Sequence, residues 1–311
     1  MTRIAVAGGS GGLGRTFVNA LSKTSHEVFV LSRTEQKSDL PNVKYVQVDY
    51  TDINSMVTLL ETNQITTILS AITMISSTTS LAQLNLIAAA EKSSITTRFI
   101  PSEYGVIANE ETAALDPFAK YWVENASALS KTKTLQYTRI STGQFMDYWG
   151  MPNIETTLNP FVWALDIENG VAAIPGTGDE KISMTYTPDL AQFIIRLLDE
   201  EEWPVMSGFV GQDVSFNEMV RWAEGATGRK IKVAYDGVEG LERGEVTNLT
   251  EVMEKEPFFR EVAVLFGIMV TRGLMLLPDK EGFRLNERFP DLEVMTVKKL
   301  IEESWAKTSG L

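Results

Sequence analysis

A short β-branched and apolar run, Arg3-Ile-Ala-Val-Ala7, breaks into Gly8-Gly-Ser-Gly-Gly-Leu-Gly14, and a helical pattern begins at once over Leu13 to Leu21. Such a run reads as a buried strand. A strand that turns through glycines into a helix leaves bare backbone N–H groups at the positive end of that helix, where a pyrophosphate is held. Glycines there close the turn, admit the phosphates and let the helix pack on the sheet. Gly8, Ser10, Gly11, Gly12, Leu13 and Gly14 therefore form the expected dinucleotide cradle.

The residues after it keep alternating. Strand patterns cover Arg3–Ala7, Glu27–Leu31, Lys44–Val48, Thr67–Ala71, Arg98–Pro101 and Gln136–Ile140, with helices predicted at Gly12–Ser22, Ile53–Thr62, Ser80–Lys92 and Phe118–Lys131. Short strands free of charge fit a parallel sheet covered by helices on both faces. The expected class is α/β, a doubly wound Rossmann domain over residues 1–150, with a smaller α/β substrate-binding domain over 151–311. Within the latter, 160–169 is a candidate helix and Pro175-Gly-Thr-Gly-Asp179 a turn. Thr187-Pro-Asp189 opens an amphipathic helix to about residue 199, expected to pack back on the first domain.

Composition narrows the chemistry. At 311 residues the chain can bury a sizeable core. A net charge of −13 argues against direct nucleic-acid binding, which needs a basic footprint. With no cysteine and a single histidine, His26, neither a thiolate nucleophile nor a Cys/His metal site is expected. No stretch reaches membrane-span length and the first strand starts at residue 3, so a cytosolic protein without targeting peptide or membrane contact is expected.

The second strand ends Leu31-Ser-Arg33-Thr34, with Lys37 close by, where NAD-specific domains usually place an acid for the ribose 2′-OH. Arg33 can fork onto a 2′-phosphate, which favours NADP(H) over NAD(H); Arg15 offers a second cation. Asp49 is expected near the adenine edge, and Ser70, Ala71 and Ile72 beneath the adenosine and ribose.

Several phrases carry a resemblance: the glycine loop, Gln83-Leu-Asn-Leu-Ile-Ala-Ala-Ala90, Arg98-Phe-Ile-Pro-Ser-Glu-Tyr-Gly105, Ser141-Thr-Gly-Gln-Phe145, Ser215-Phe-Asn-Glu-Met219 and Asn286-Glu-Arg-Phe-Pro-Asp-Leu292. Together they resemble the NmrA-like and isoflavone-reductase-like branch of the atypical short-chain dehydrogenases, in its fungal style, over essentially the whole chain. The resemblance implies NADP(H) binding, with Pro101 and Ser102 beside the cofactor and a small-molecule cleft between the domains.

No lysine follows a tyrosine at the four-residue spacing that ordinary short-chain dehydrogenases use for acid–base chemistry. Plant reductases of the resembled family use a lysine on the helix after the Pro-Ser-Glu phrase; a hand alignment puts Glu124 in that slot, with Lys120 one turn earlier on the same face. Three readings stand open: Lys120 as proton donor, Glu124 as acid or base, or the two as a plain surface pair. Tyr104 is a further hydroxyl donor candidate. Glu103 is read first as capping or bracing the loop and otherwise, with Tyr104, as part of the substrate wall; Tyr104 is alternatively a packed aromatic, and Phe145, Met146, Tyr148 and Trp149 are candidate pocket walls with plain core as the alternative. An aromatic-lined pocket suits a small aromatic or conjugated metabolite, and an NADPH-dependent reductase is the leading expectation. A redox-neutral isomerase with structural NADP, acting through Glu124, and an NAD(P)-sensing regulator with a protein partner are the alternatives; the chain is expected to be a monomer or homodimer.

Overall fold

The computed structural model describes residues 2–306, the side chain of Val252 excepted; the last residues of the expected second domain, 307–311, lie outside the described residues. The first half runs β1 (Arg3–Ala7), α1 (Gly12–Leu21), β2 (Glu27–Ser32), β3 (Val43–Gln47), α2 (Ile53–Thr62), β4 (Thr67–Ser70), α3 (Ser77–Lys92), β5 (Arg98–Ile100), α4 (Glu110–Leu115), α5 (Ala119–Leu129) and β6 (Gln136–Tyr137). These six strands form one parallel sheet in the order β3-β2-β1-β4-β5-β6. Alternation along β1 splits the core between the two faces. Ile4 and Val6 pack with Phe17, Val18 and Leu21 of α1. Ala5 and Ala7 face Met56 and Leu60 of α2 and Leu86 and Ile87 of α3. The strand order reverses between β1 and β4, which opens a crevice at their carboxyl ends.

The second half contains β7 (Arg139–Ser141), β8 (Gln144–Phe145), β9 (Leu165–Asp166), β10 (Val171–Pro175), β11 (Lys181–Thr185), α6 (Thr187–Leu198), β12 (Met206–Gly208), β13 (Gln212–Ser215), α7 (Phe216–Thr227), β14 (Lys232–Asp236), α8 (Val238–Glu242), α9 (Glu251–Lys255), α10 (Pro257–Thr271) and α11 (Val297–Trp305). Its strands form the small sheets β14-β10-β9, β13-β11-β8 and β12-β7. The strand expected over 136–140 divides at Thr138: β6 stays in the main sheet while β7 pairs with β12. The helix expected over 160–169 is absent. Ala164 takes a left-handed φ of 58°, and Asp166 closes a turn on the Asn169 and Gly170 amides, so the segment enters β9 instead.

Helix α6 buries Leu190, Phe193, Ile194 and Leu197 with the α1 residues above. At its amino end Asp147 accepts from the Thr187 amide and hydroxyl, at 3.1 and 2.6 Å. At its carboxyl end the Arg98 guanidinium donates to the carbonyls of Leu198, Glu200 and Glu201. No helix among the described residues is long and apolar enough to cross a membrane.

Candidate active site

The glycine loop has the shape its spacing predicts. Gly8 sits at φ +76°, and a methyl group there would lie 2.5 Å from the Ala71 carbonyl oxygen on the neighbouring strand. At Gly14 it would lie 2.1 Å from the Gly8 carbonyl oxygen. Only glycine lets α1 start this close to β1. The Gly11 amide is taken by Gly8, while those of Ser10, Gly12 and Leu13 have no acceptor among the described residues. Ser10 and Gly11 are exposed. Free amides at a helix start, in a cradle that only glycine permits, fit a pyrophosphate.

On the adenosine side, Arg33 and Lys37 are exposed and make no ion pair among the described residues, which leaves both cations for an anionic ligand. Asp49 is engaged locally: its Oδ1 accepts from the Thr51 amide and hydroxyl, which holds its carboxyl below the usual range. Arg15 donates to the Thr157 carbonyl, not toward Arg33.

At the β4–β5 end, Ser70 is buried with its hydroxyl unpaired among the described residues, and Ala71 and Ile72 continue past it. Pro101 is buried, and the Ser102 amide donates to Gln83 Oε1 at 3.0 Å. Glu103 lies under the loop rather than in a substrate wall. Its carboxylate is buried, and both oxygens accept from Arg139 Nε, at 3.0 and 2.8 Å. Burial pushes it up to about 7 even though Arg139 pulls it down. This pair braces the loop from beneath. Tyr104 donates its proton to the Ser70 carbonyl at 2.9 Å and packs edge-on against Phe17. Burial raises its phenol far above the ordinary value. That hydroxyl holds the loop to β4 and has no proton to spare for a substrate.

On α5, Lys120 and Glu124 are both exposed and do not pair with each other among the described residues. Lys120 Nζ lies 5.0 Å from the Tyr121 ring centroid, whereas Glu124 Oε2 lies 3.5 Å from the Ser80 hydroxyl in the first turns of α3. Asn125 Nδ2 donates to that same hydroxyl at 3.1 Å, which leaves the Ser80 proton for Glu124.

The segment after β8 divides. Phe145 is half-buried against the core around α1 and α6. Met146 and Trp149 are corrected from the pocket wall: they are 0% and 2% exposed, and Trp149 packs on Trp163 and Phe216 inside the second core. The one between them that turns outward is Tyr148, half-buried, edge-on to Phe161 at 5.6 Å, which in turn stacks on Phe259 of α10 at 6.1 Å.

The model of the NmrA-like family matches residues 1–270. Oxidoreductase swnN of Metarhizium robertsii is 32% identical over 336 residues, covering 98% of each chain. The chain belongs to the NmrA-like family. Other relatives of this NmrA-like protein include Oxidoreductase BOA1 of Botryotinia fuckeliana, 36% identical over 74% of this chain and 77% of that one. An isoflavone reductase-like protein of Olea europaea is 24% identical over 97% and 98%. Among solved structures, the binary complex of leucoanthocyanidin reductase with NADPH from Vitis vinifera superposes with a TM-score of 0.76 at 17% identity, over 97% of this chain and 98% of that one. This likeness shows the shared Rossmann-type fold.

Three residues of this NmrA-like site went unread in the sequence. Gln83 stood in a resemblance phrase without a role, yet it holds the Ser102 amide. Arg139, the partner of Glu103, lies 36 residues away from it. Thr157, which hydrogen-bonds the Gly12 carbonyl, lies 145 residues from it in a polar loop with no pattern of its own.

Proposed function

We propose that this NmrA-like chain is an NADP(H)-dependent oxidoreductase acting on a small aromatic or conjugated metabolite. The glycine cradle, with its unpaired amides at the start of α1, carries the reading. Relatives named as oxidoreductases support the reaction class, and a fold neighbour solved with NADPH supports the cofactor. When bound, the dinucleotide supplies or accepts a hydride. Gly11, Gly12 and Leu13 hold its pyrophosphate by backbone amides, and Arg33 with Lys37 binds the 2′-phosphate. Residues 1–150 serve as the cofactor half and 151–311 as the substrate half. Tyr148, Phe161 and Phe259 form the aromatic wall that selects a flat, apolar substrate. The proton is moved on α5 by Glu124 ahead of Lys120, because Ser80 holds the Glu124 carboxyl at the start of α3, while Lys120 lies along Tyr121.

Incubation of the protein with NADPH and a metabolite extract tests this reading. NADPH loss with a product two hydrogens heavier is the expected result; a product of unchanged mass with NADPH intact would sink it in favour of a redox-neutral reaction. Glu124→Gln is expected to lose turnover while still binding NADP+. Arg33→Ala is expected to weaken NADP+ by about tenfold or more in calorimetric titration and leave NAD+ nearly unchanged. Equal losses for the two nucleotides would remove Arg33 from the 2′-phosphate site.

A further inference from the structure

We propose that Thr157 is a positioning residue that couples the dinucleotide cradle to the aromatic wall, so that filling the first orders the second. The inference rests on the dinucleotide reading above. Segment 151–164 leaves the core after Trp149 and crosses the first turn of α1. There Thr157 Oγ1 donates to the Gly12 carbonyl oxygen at 2.7 Å and lies 2.5 Å from Thr16 Oγ1. With the Thr157 proton given to Gly12, the Thr16 hydroxyl is the donor in that second contact. The Thr157 carbonyl accepts from the Arg15 guanidinium at 3.1 Å. The approach is close throughout: a methyl group at Gly12 would lie 3.2 Å from the Thr157 carbonyl oxygen and 3.3 Å from Leu158 Cδ2.

The residues just before Thr157 are held from the other side. Thr156 Oγ1 donates to Asp147 at 2.8 Å, and the Tyr186 hydroxyl donates to the Glu155 carbonyl at 3.0 Å. Four residues further on, Phe161 packs on Tyr148 and Phe259. Thr157 is thus where the segment bearing the wall grips the helix turn that presents the cradle amides. A ligand that rigidifies this turn leaves the attached segment less freedom to lose, and the wall settles before substrate arrives.

Hydrogen exchange read by mass spectrometry on the full chain, with and without saturating NADP+, tests the coupling. In the natural protein NADP+ is expected to slow exchange both in residues 8–16 and, by about fivefold, in residues 155–163. Thr157→Val is expected to keep the slowing at 8–16 and lose it at 155–163, and Thr157→Ser to restore it. Should the valine variant not fold, Thr157→Ala removes both hydroxyl contacts, to Gly12 and to Thr16, and reads the same coupling. Slowing confined to 8–16 in the natural protein overturns the proposal, as does undiminished slowing at 155–163 in Thr157→Val or Thr157→Ala. If NADP+ slows neither segment, the dinucleotide reading fails and takes the coupling with it.

Discussion

Residues 3–137 build one sheet in which every neighbouring pair of strands is parallel, whereas residues 139–236 build three small sheets of mixed direction, with β9 antiparallel to β10 and β11 antiparallel to β13 but parallel to β8. The first half is held by backbone space. Alternate residues of β1 serve two cores, and the cradle exists because Gly8 and Gly14 carry no side chain. The second half has an apolar core of its own, and its strands and loops are tied to one another by buried or half-buried polar side chains. Asp147 gathers Thr156 and Thr187. Asp213 takes the Ser183 hydroxyl at 2.5 Å and Arg284 at 2.9 Å, while Ser183 Oγ accepts the Leu277 amide. A layer shaped by strand register tolerates side-chain variation at its rim. A layer shaped by polar hubs depends on a few residues, each of which is costly to leave unpaired.

That contrast can be broken in three places. The largest effect is expected at Gly8→Ala, where a positive φ and a 2.5 Å backbone clash coincide. It is expected to cost roughly 3 kcal/mol or more and to abolish NADP+ binding. Gly105→Ala, with nothing within 4 Å of the added methyl, is expected to stay within about 0.5 kcal/mol. Denaturant unfolding of the two measures the difference, and equal costs would end the backbone-space account. Next comes Asp147→Ala, which strips three hydrogen bonds from a buried hub and is expected to cost about 2–3 kcal/mol. A loss no larger than that of an ordinary surface substitution would remove polar hubs as the organiser of the second half.

The smallest effect is a pH slope. Burial raises Asp189 from 3.8 to about 6, although the Met295 amide pulls it down. The folded protein therefore holds this proton where the unfolded chain releases it. Its stabilising contribution is full below pH 3.8 and is lost as pH rises through about 6. His26, lowered by burial, acts in the opposite sense as pH rises toward 6.5. The clean reading is thus the difference between the natural protein and Asp189→Asn, whose amide oxygen still accepts from Met295. Between pH 4 and 6 the natural protein is expected to lose Tm relative to the variant, and parallel curves would show that Asp189 does not titrate in this window.

The same contrast explains what could be read in the sequence. The cradle, five of the six sheet strands and helix α2 follow from local periodicity, and the structure returns them within a residue or so. Helix α4 is not legible in the sequence because its six residues, capped by Asn109, show too little period to detect. β10, β11 and β13 lack the strand–helix alternation that marks the first half, and their four or five residues border turns and helix starts rather than a repeating pattern. Glu103 and Tyr104 carried the right chemistry at the right strand end, but their engagement with Arg139 and the Ser70 carbonyl is a tertiary fact. Met146 and Trp149 look like a pocket wall in sequence because core and pocket draw on the same apolar residues.

Helix α6 has a consequence for motion. It is moored at its start to Asp147, which also holds Thr156, and at its end to Arg98, at the amino end of β5. It lies along α1 for the length between. A twelve-residue rod fixed at both ends and along its side acts as a strut. With a strut across them, the two halves have no free line about which to swing. Any movement of one half against the other would have to part α6 from α1 or break the bonds to Asp147 and Arg98.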